Sequence, residues 1–186
     1  MTVEAQTGVL VRDVPERLVA LVVSNLKDGR GIHAETAIAA VGTLAGEYVL
    51  RKHIGSFDGL VPGSSVSNDE VNQILFEDTS RLTISDIFMN ALFGQGIDVG
   101  KSSWPETIPE ENQVMMDPLE VVARLRPQVE SLFEVAGLSD FLERAYAATS
   151  ATAIMVAQAR KVLDPNIGKA LALEAMLRGA KTVPVG

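Results

Sequence analysis

The feature that most constrains this fold is a stretch of sequence without charge. Within residues 33–51, no Asp, Glu, Lys or Arg interrupts the chain between Glu35 and Glu47, and small or aliphatic residues fill the interval. Such a helix has almost no polar face for solvent, because charged residues normally mark the exposed side of an amphipathic helix. At roughly 1.5 Å per residue it would be about 28 Å long, close to the diameter of one domain of this size. The stretch therefore predicts a buried central helix.

A second uncharged stretch, residues 145–159, lies within a helical pattern over residues 140–163. The 186 residues are 47% hydrophobic but only 5% aromatic. Alanine and aliphatic residues must therefore fill the core, which favours helix-on-helix packing. We predict a mainly α, single-domain multi-helix bundle over residues 1–186, with 33–51 and 140–163 as its two buried central helices. Residues 1–12 are expected to form a loose N-terminal arm and residues 181–186 a frayed tail.

Capping residues and prolines locate the helix ends. Three predicted helices begin with an acidic N-cap followed by a proline in the first turn: these starts are Asp13 with Pro15, Asp117 with Pro118, and Asp164 with Pro165. Ser85 is predicted to cap another helix, which Gly94 ends. Pro127 is expected to kink or end the helix that begins at Asp117, because a proline inside a helix removes a backbone hydrogen bond.

Residues 72–84 admit two interpretations. Residues 67–70 resemble a capping box that opens a short helix. Alternatively, residues 73–76 and 81–84 form two short strands about a polar turn, since both are rich in β-prone residue types. We favour this small β-hairpin, which would need to lie on the helical core because an isolated hairpin is marginal in water.

The composition excludes several classes of function. Sixteen basic and twenty-four acidic residues give a net charge of −8, which repels nucleic acids and anionic membranes unless basic residues cluster. The densest basic group, residues 51–53, is too short to serve as such a cluster. The absence of cysteine excludes disulfides, thiolate metal sites and a cysteine nucleophile. The longest apolar run near the N-terminus, residues 18–23, is far shorter than a signal or membrane segment, so we expect a cytoplasmic protein.

Residues 94–102 resemble a phosphate-binding P-loop but have the wrong spacing. A P-loop has four residues between its first glycine and its Gly-Lys-Ser, whereas Gly96 leaves three and Gly94 leaves five. A helix also precedes this segment, where a P-loop would follow a strand. We therefore interpret it as part of a long surface loop that continues to Asp117.

The best small-molecule site in the sequence is the N-terminus of the central helix. Free backbone N–H groups there would attract a carboxylate or a phosphate, and Arg30 could clamp that group with two hydrogen bonds. His33 and Glu35 would supply further polar groups, and Trp104 in the long loop would cover the site. The alternative is ordinary helix initiation, with Glu35 favoured by the helix dipole, His33 a polar entry residue and Trp104 a packing anchor.

No metal or cofactor site is predicted. His33 and His53 are the only histidines, and they would lie at opposite ends of one helix. Glu47, Glu143 and Glu174 are lone acids in apolar helices, and three such acids facing one another could bind a cation. Such acids more often point outward or pair with arginine, and the candidate partners are Arg51, Arg144, Arg160 and Arg178.

The leading functional hypothesis is a non-catalytic interaction or homo-oligomeric module. Gly42 and Gly46 lie on one face of the central helix, and each costs the helix about 1 kcal/mol relative to alanine. Close approach by another helix would compensate for that cost. On this hypothesis the face accepts a helix from a protein partner or from a second copy in a homodimer. The rival hypothesis is a binding protein or enzyme for small carboxylates or phosphates, with its site at Arg30, His33, Glu35 and Trp104.

Overall fold

The computed structural model describes residues 13–29, 31–67, 69–77, 82–98 and 107–186. These residues form α-helices, a π-helical turn (Gln73–Glu77) and a 3-10 turn (Glu110–Asn112), and none of them forms a strand. The α-helices are α1 (Val14–Leu26), α2 (Ala34–Ile54), α3 (Asp69–Asn72), α4 (Ile84–Gly94), α5 (Pro118–Val135), α6 (Phe141–Ala159) and α7 (Pro165–Ala180). The prediction of a mainly α, multi-helix fold is confirmed.

Helix α2 is the buried centre of the fold. Every residue from 36 to 50 is buried, and α2 packs most extensively against α7 and α6. Its alanines and glycines take little space, so that neighbouring helices surround it closely. The first predicted central helix is therefore confirmed. It extends beyond the predicted end to Ile54, where Gly55 adopts a φ of 71° and stops it.

Helix α6 is the second buried helix. Thr149 and Thr152 are fully buried, and each hydroxyl donates a hydrogen bond to the carbonyl four residues earlier, at 2.7 and 2.8 Å. These bonds satisfy the hydroxyls inside the apolar core. The helix ends at Ala159, four residues before the predicted end. Residues 160–162 form a turn in which Val162 is 80% exposed, and Leu163 then packs back into the core at 6% exposure.

The predicted hairpin at residues 72–84 is wrong for the part of it that the structure describes. Residues 73–77 form the π-helical turn that continues α3, and Ile84 begins α4. The buried side chains of Val71 and Leu75 lie four residues apart, which is the helical repeat. Contact with the helical core therefore outweighs the β-propensity of these residues.

One helix start differs from prediction. Thr83, not Ser85, caps α4: its hydroxyl accepts from the Asp86 N–H at 3.0 Å, and the Asp86 carboxylate accepts from the Thr83 N–H at 3.0 Å. This reciprocal pair is a capping box.

Helix α5 runs through Pro127 without ending. Pro127 lies on the exposed side, while Leu125 and Val129 hold both halves of the helix to the core.

The C-terminal residues are held in place, contrary to the predicted frayed tail. Residues 181–186, here called the C-terminal strap, run beside residues 63–66. Val183 is only 2% exposed, and it exchanges 2.9 Å hydrogen bonds with the backbone of Gly63 and Ser64. The Val66 N–H also donates to the Lys181 carbonyl at 2.8 Å. Pairing of backbone groups and burial of one valine therefore order the strap.

Removing the Asp140 side chain is expected to destabilise the protein by about 1 kcal/mol near neutral pH, because Asp140 is the N-cap of α6. The hydrogen bond from Lys52 and that from the Leu142 N–H lower the pKa of Asp140 below its ordinary value of 3.8. A lowered carboxyl pKa in the folded state gives stability that is present above pH 3.8 and is lost as the pH falls through the folded-state value.

Urea unfolding of Asp140→Ala and wild type across the acid range measures this effect. We expect the difference in free energy of unfolding to shrink below pH 3.8. In a Lys52→Gln background, Asp140→Ala should show a weaker pH dependence. A difference that stays constant across the whole range would contradict the assignment.

Candidate functional site

One backbone N–H at the N-terminus of α2 is capped by a side chain of the same chain. His33 is the N-cap, and its Nδ1 accepts from the Thr36 N–H at 3.3 Å. The Thr36 hydroxyl lies 2.9 Å from the same nitrogen and accepts from the Met115 N–H at 3.0 Å. The structure thus uses one of the free N–H groups of this helix end within the chain, and it ties the segment before α5 to α2.

The Glu35 carboxylate, in the first turn of α2, also contacts residues of the same chain. Its Oε1 accepts from the Asn112 Nδ2 at 3.0 Å, and its Oε2 lies 3.5 Å from the His33 Nε2. His33 and Glu35 therefore lie side by side, as the predicted site requires. Their hydrogen-bond partners, however, are other residues of the chain. Arg30 and Trp104, the other two residues of the predicted site, lie outside the described residues.

The small-residue face of α2 is in contact with α7 of the same chain. A Cβ atom added at Gly42 would lie 2.9 Å from the Ala172 carbonyl oxygen, and one added at Gly46 would lie 2.6 Å from the Ala180 backbone nitrogen. The order of these contacts shows that α2 and α7 run in the same direction. Gly179 contributes a third close approach, against the backbone of Thr43. The face that includes Gly42 and Gly46 is thus covered by α7.

Glu47 is the acid at the centre of a buried ion cluster, here called the Glu47 cluster, which comprises Glu47, Arg51 and Arg126. Glu47 is 2% exposed. Arg51 donates to its Oε1 at 2.8 Å, and Arg126 donates to Oε1 and Oε2 at 3.1 and 3.0 Å. Two guanidinium groups therefore compensate the desolvation of one carboxylate.

Arg126 joins the Glu47 cluster to the C-terminal strap. Its Nη1 donates to the Val185 carbonyl at 3.0 Å and also to the Gly186 carbonyl. The planar guanidinium group thus binds a buried carboxylate with one edge and backbone carbonyls with the other. The strap is fixed at both ends, by residues 63–66 and by Arg126.

A second buried polar group lies beside this cluster. The Tyr48 hydroxyl donates to the Glu130 Oε1 at 2.9 Å, and Arg144 donates to the Glu130 Oε2 and, at 2.8 Å, to the Leu138 carbonyl. Burial, and after it the neighbouring Glu130 carboxylate, raise the pKa of Tyr48 far above its ordinary value. Tyr48 is therefore a neutral donor throughout the physiological range. These groups are fully paired, and they connect α2, α5 and α6.

The lone acids do not form a cation site. Glu143 and Glu174 are exposed, whereas Glu47 is buried between two arginines. Among the described residues, no group of three or more His, Cys, Asp or Glu is arranged to hold a metal ion. His53 lies at the end of α2 opposite His33, with its Nδ1 3.1 Å from the Glu70 Oε2.

One concave surface formed by described residues is an open groove along the first half of α5, here called the α5 groove. It has a volume of about 580 Å³, and its lining comprises Met115, Met116, Asp117, Glu120, Val121, Ala123, Arg124, Val185 and Gly186. Val121 is a buried residue of α5, and the lining joins it with the two methionines on the preceding segment and two residues of the C-terminal strap. Met115 is 64% exposed and Met116 38% exposed. The Met115 backbone N–H and the Asn112 side chain attach this segment to α2, at Thr36 and Glu35.

Sequence reasoning missed two parts of this region. Arg126 lies 79 residues from Glu47, so no local pattern joins them. Its position beside Leu125 and four residues after Val122, both buried, could have placed it at the edge of the core. Nothing in the sequence indicates that the two methionines are exposed, because a pair of apolar residues in a loop is equally compatible with burial.

None of the described helices combines the length and the hydropathy needed to cross a membrane. Comparison with family models, with curated proteins and with solved structures gives no match to this chain.

Proposed function

We propose that the protein is a non-catalytic interaction domain that binds an apolar segment of a partner polypeptide in the α5 groove. The single observation that carries this proposal is Met115, a large apolar side chain that is 64% exposed at the edge of a concave surface. Methionine is flexible and polarizable, and methionine-rich surfaces adapt to apolar side chains of different shapes. An amphipathic helix that inserts its apolar residues is the recognition mode that such a groove fits best.

The edges of the groove support this proposal because they are rigid. On one side the Met115 backbone N–H is bonded to Thr36, and on the other Arg126 and Gly63 hold the C-terminal strap. A preformed groove loses little conformational entropy when a partner binds. Contact between α2 and α7 covers the small-residue face, so we assign the interaction to the α5 groove instead of to Gly42 and Gly46.

Binding of a synthetic helical peptide tests this proposal. The probe is an uncharged, fluorescein-labelled peptide with leucines at positions i, i+4 and i+7 and with glutamine and serine elsewhere. Fluorescence anisotropy should show saturable binding. Met115→Ser should raise the Kd by about tenfold, equivalent to about 1.4 kcal/mol, because the substitution removes an apolar contact.

The matched control is Val135→Ser at the end of α5. Val135 is 71% exposed, so it removes a comparable apolar surface, but it lies about 21 Å along the helix from Val121. The Kd of this variant should equal that of wild type. Equal affinities of wild type and Met115→Ser, or no saturable binding at all, would overturn the proposal.

A further inference from the structure

We infer that the partner segment anchors in the α5 groove through an aromatic side chain, an inference that rests on the proposed function of this groove. The observation that carries it is the contact between Arg124 and Met116, two exposed residues of the groove lining. The Arg124 Nη2 lies 3.6 Å from the Met116 sulfur. A guanidinium group and a thioether therefore lie side by side on the surface that a partner would contact.

Both groups bind aromatic rings better than aliphatic side chains. A guanidinium group is attracted to the face of an aromatic ring, where the electrostatic potential of the ring is negative. A thioether sulfur makes favourable contacts with aromatic rings at a distance of about 5 Å. An aliphatic anchor such as leucine offers neither interaction, so two different groups of the lining favour the same ligand chemistry.

Arg124 is available for such a contact. Asp117, the acid that precedes α5, is paired with Arg178 at 2.8 Å, and no ion pair holds Arg124 within the part of the chain that the structure describes. The sulfur that Arg124 contacts is only a weak hydrogen-bond acceptor. The guanidinium group therefore loses little when it turns toward a bound ring.

Net charge does not select the partner of this groove. Glu120 and Arg124 supply one charge of each sign to the lining, and the charge of Asp117 is offset by Arg178. An aromatic anchor needs no complementary charge, and it buries a large apolar area in a concave surface. Aromatic residues are also among those that most often dominate the binding energy of protein–protein interfaces.

Two peptides that differ in one side chain test this inference. Each is the uncharged probe with its leucine at position i+4 replaced, in one peptide by phenylalanine and in the other by cyclohexylalanine. The two rings are similar in size and both are apolar, but only phenylalanine has an aromatic face. Fluorescence anisotropy should show that the phenylalanine peptide binds about fivefold more tightly than the cyclohexylalanine peptide.

Three variants locate this preference. Arg124→Gln and Met116→Leu should each reduce the ratio of the two Kd values to about twofold, because each removes one of the two groups that favour an aromatic ring. Arg160→Gln is the matched control, because Arg160 is an exposed arginine at the end of α6 and does not line the groove. The control should leave the ratio as it is in wild type.

The outcomes separate this inference from the proposed function. If the leucine probe binds and the phenylalanine and cyclohexylalanine peptides have equal affinities, the groove function stands and the inference of an aromatic anchor is wrong. If the preference for phenylalanine is unchanged in both Arg124→Gln and Met116→Leu, the inference is also wrong, because other residues would then hold the ring. If no peptide binds, the proposed function fails. Light scattering that shows a dimer disrupted by Met115→Ser would identify a second copy as the occupant and would overturn both.

Discussion

Replacing Gly46 by alanine is expected to destabilise the protein by about 3 kcal/mol, although the same change in an isolated helix would stabilise it by about 1 kcal/mol. The added Cβ would lie 2.6 Å from the Ala180 backbone nitrogen and well inside van der Waals contact with the Met176 carbonyl oxygen. Both neighbours are backbone atoms, so no side-chain rotation can relieve the overlap. Only separation of α2 from α7 can do so, and that would expose the centre of the core.

Urea unfolding followed by circular dichroism measures the effect. Gly94→Ala is the matched control, because a Cβ at this helical glycine meets nothing within 4 Å. Its free energy of unfolding should differ little from that of wild type. Gly42→Ala should fall between the two, since its added Cβ would lie 2.9 Å from the Ala172 carbonyl oxygen. A Gly46→Ala protein as stable as wild type would show that α2 and α7 do not pack in this way.

Replacing Glu47 by alanine is expected to cost about 3 kcal/mol. The substitution leaves the guanidinium groups of Arg51 and Arg126 without their carboxylate, and their side chains are only 22% and 14% exposed. An unpaired charge with so little solvent around it is strongly disfavoured. Partial solvent access to both arginines places the expected cost at the lower end of the range for buried ion pairs.

Two comparisons test this explanation. Glu143→Ala removes an exposed glutamate from a helix of the same core and should change the free energy of unfolding by less than about 0.5 kcal/mol. The double variant Glu47→Met with Arg126→Met should be more stable than the sum of the two single substitutions predicts, because each single change leaves one partner unpaired. Strict additivity of the two changes would contradict a direct interaction.

The buried helices could be predicted from sequence because the signal lies within each helix. A run without charge between Glu35 and Glu47 is enough to require burial, and an acidic N-cap with a proline sets the starts of α5 and α7. At α1 a proline also lies in the first turn, but the Asp13 side chain makes no capping hydrogen bond. These are local properties of the chain. The end of α6 was less well placed, because residues 160–163 are a turn in which side-chain type gives no clear stop.

The larger errors came from contacts between distant parts of the chain. Gly42 and Gly46 indicated a close approach of a helix, but not which helix makes it. A matching signal was present in α7, where Ala172, Ala175 and Gly179 recur at helical spacing and form the complementary small surface. The strap was expected to fray because its own sequence is short and has no helical pattern. The residues that order it lie more than fifty positions earlier.

The candidate site was the hardest part to predict. His33 and Glu35 were singled out as ligand residues, but the structure gives them partners within the chain, the nearby Thr36 and the distant Asn112. Capping residues and ligand residues have the same chemistry, so the sequence alone does not distinguish them. The α5 groove depends on the exposed fraction of two methionines, which is a property of the folded chain.

Carbon-13 methyl NMR of methionine tests the central claim most directly, because the six methionines report on different parts of the chain. During titration with the uncharged leucine peptide, the methyl signals of Met115 and Met116 should shift. Those of Met155 and Met176, which are 6% and 1% exposed in the core, should stay in place. A shift at Met176, or unchanged signals from Met115 and Met116 at saturating peptide, would contradict binding in the α5 groove.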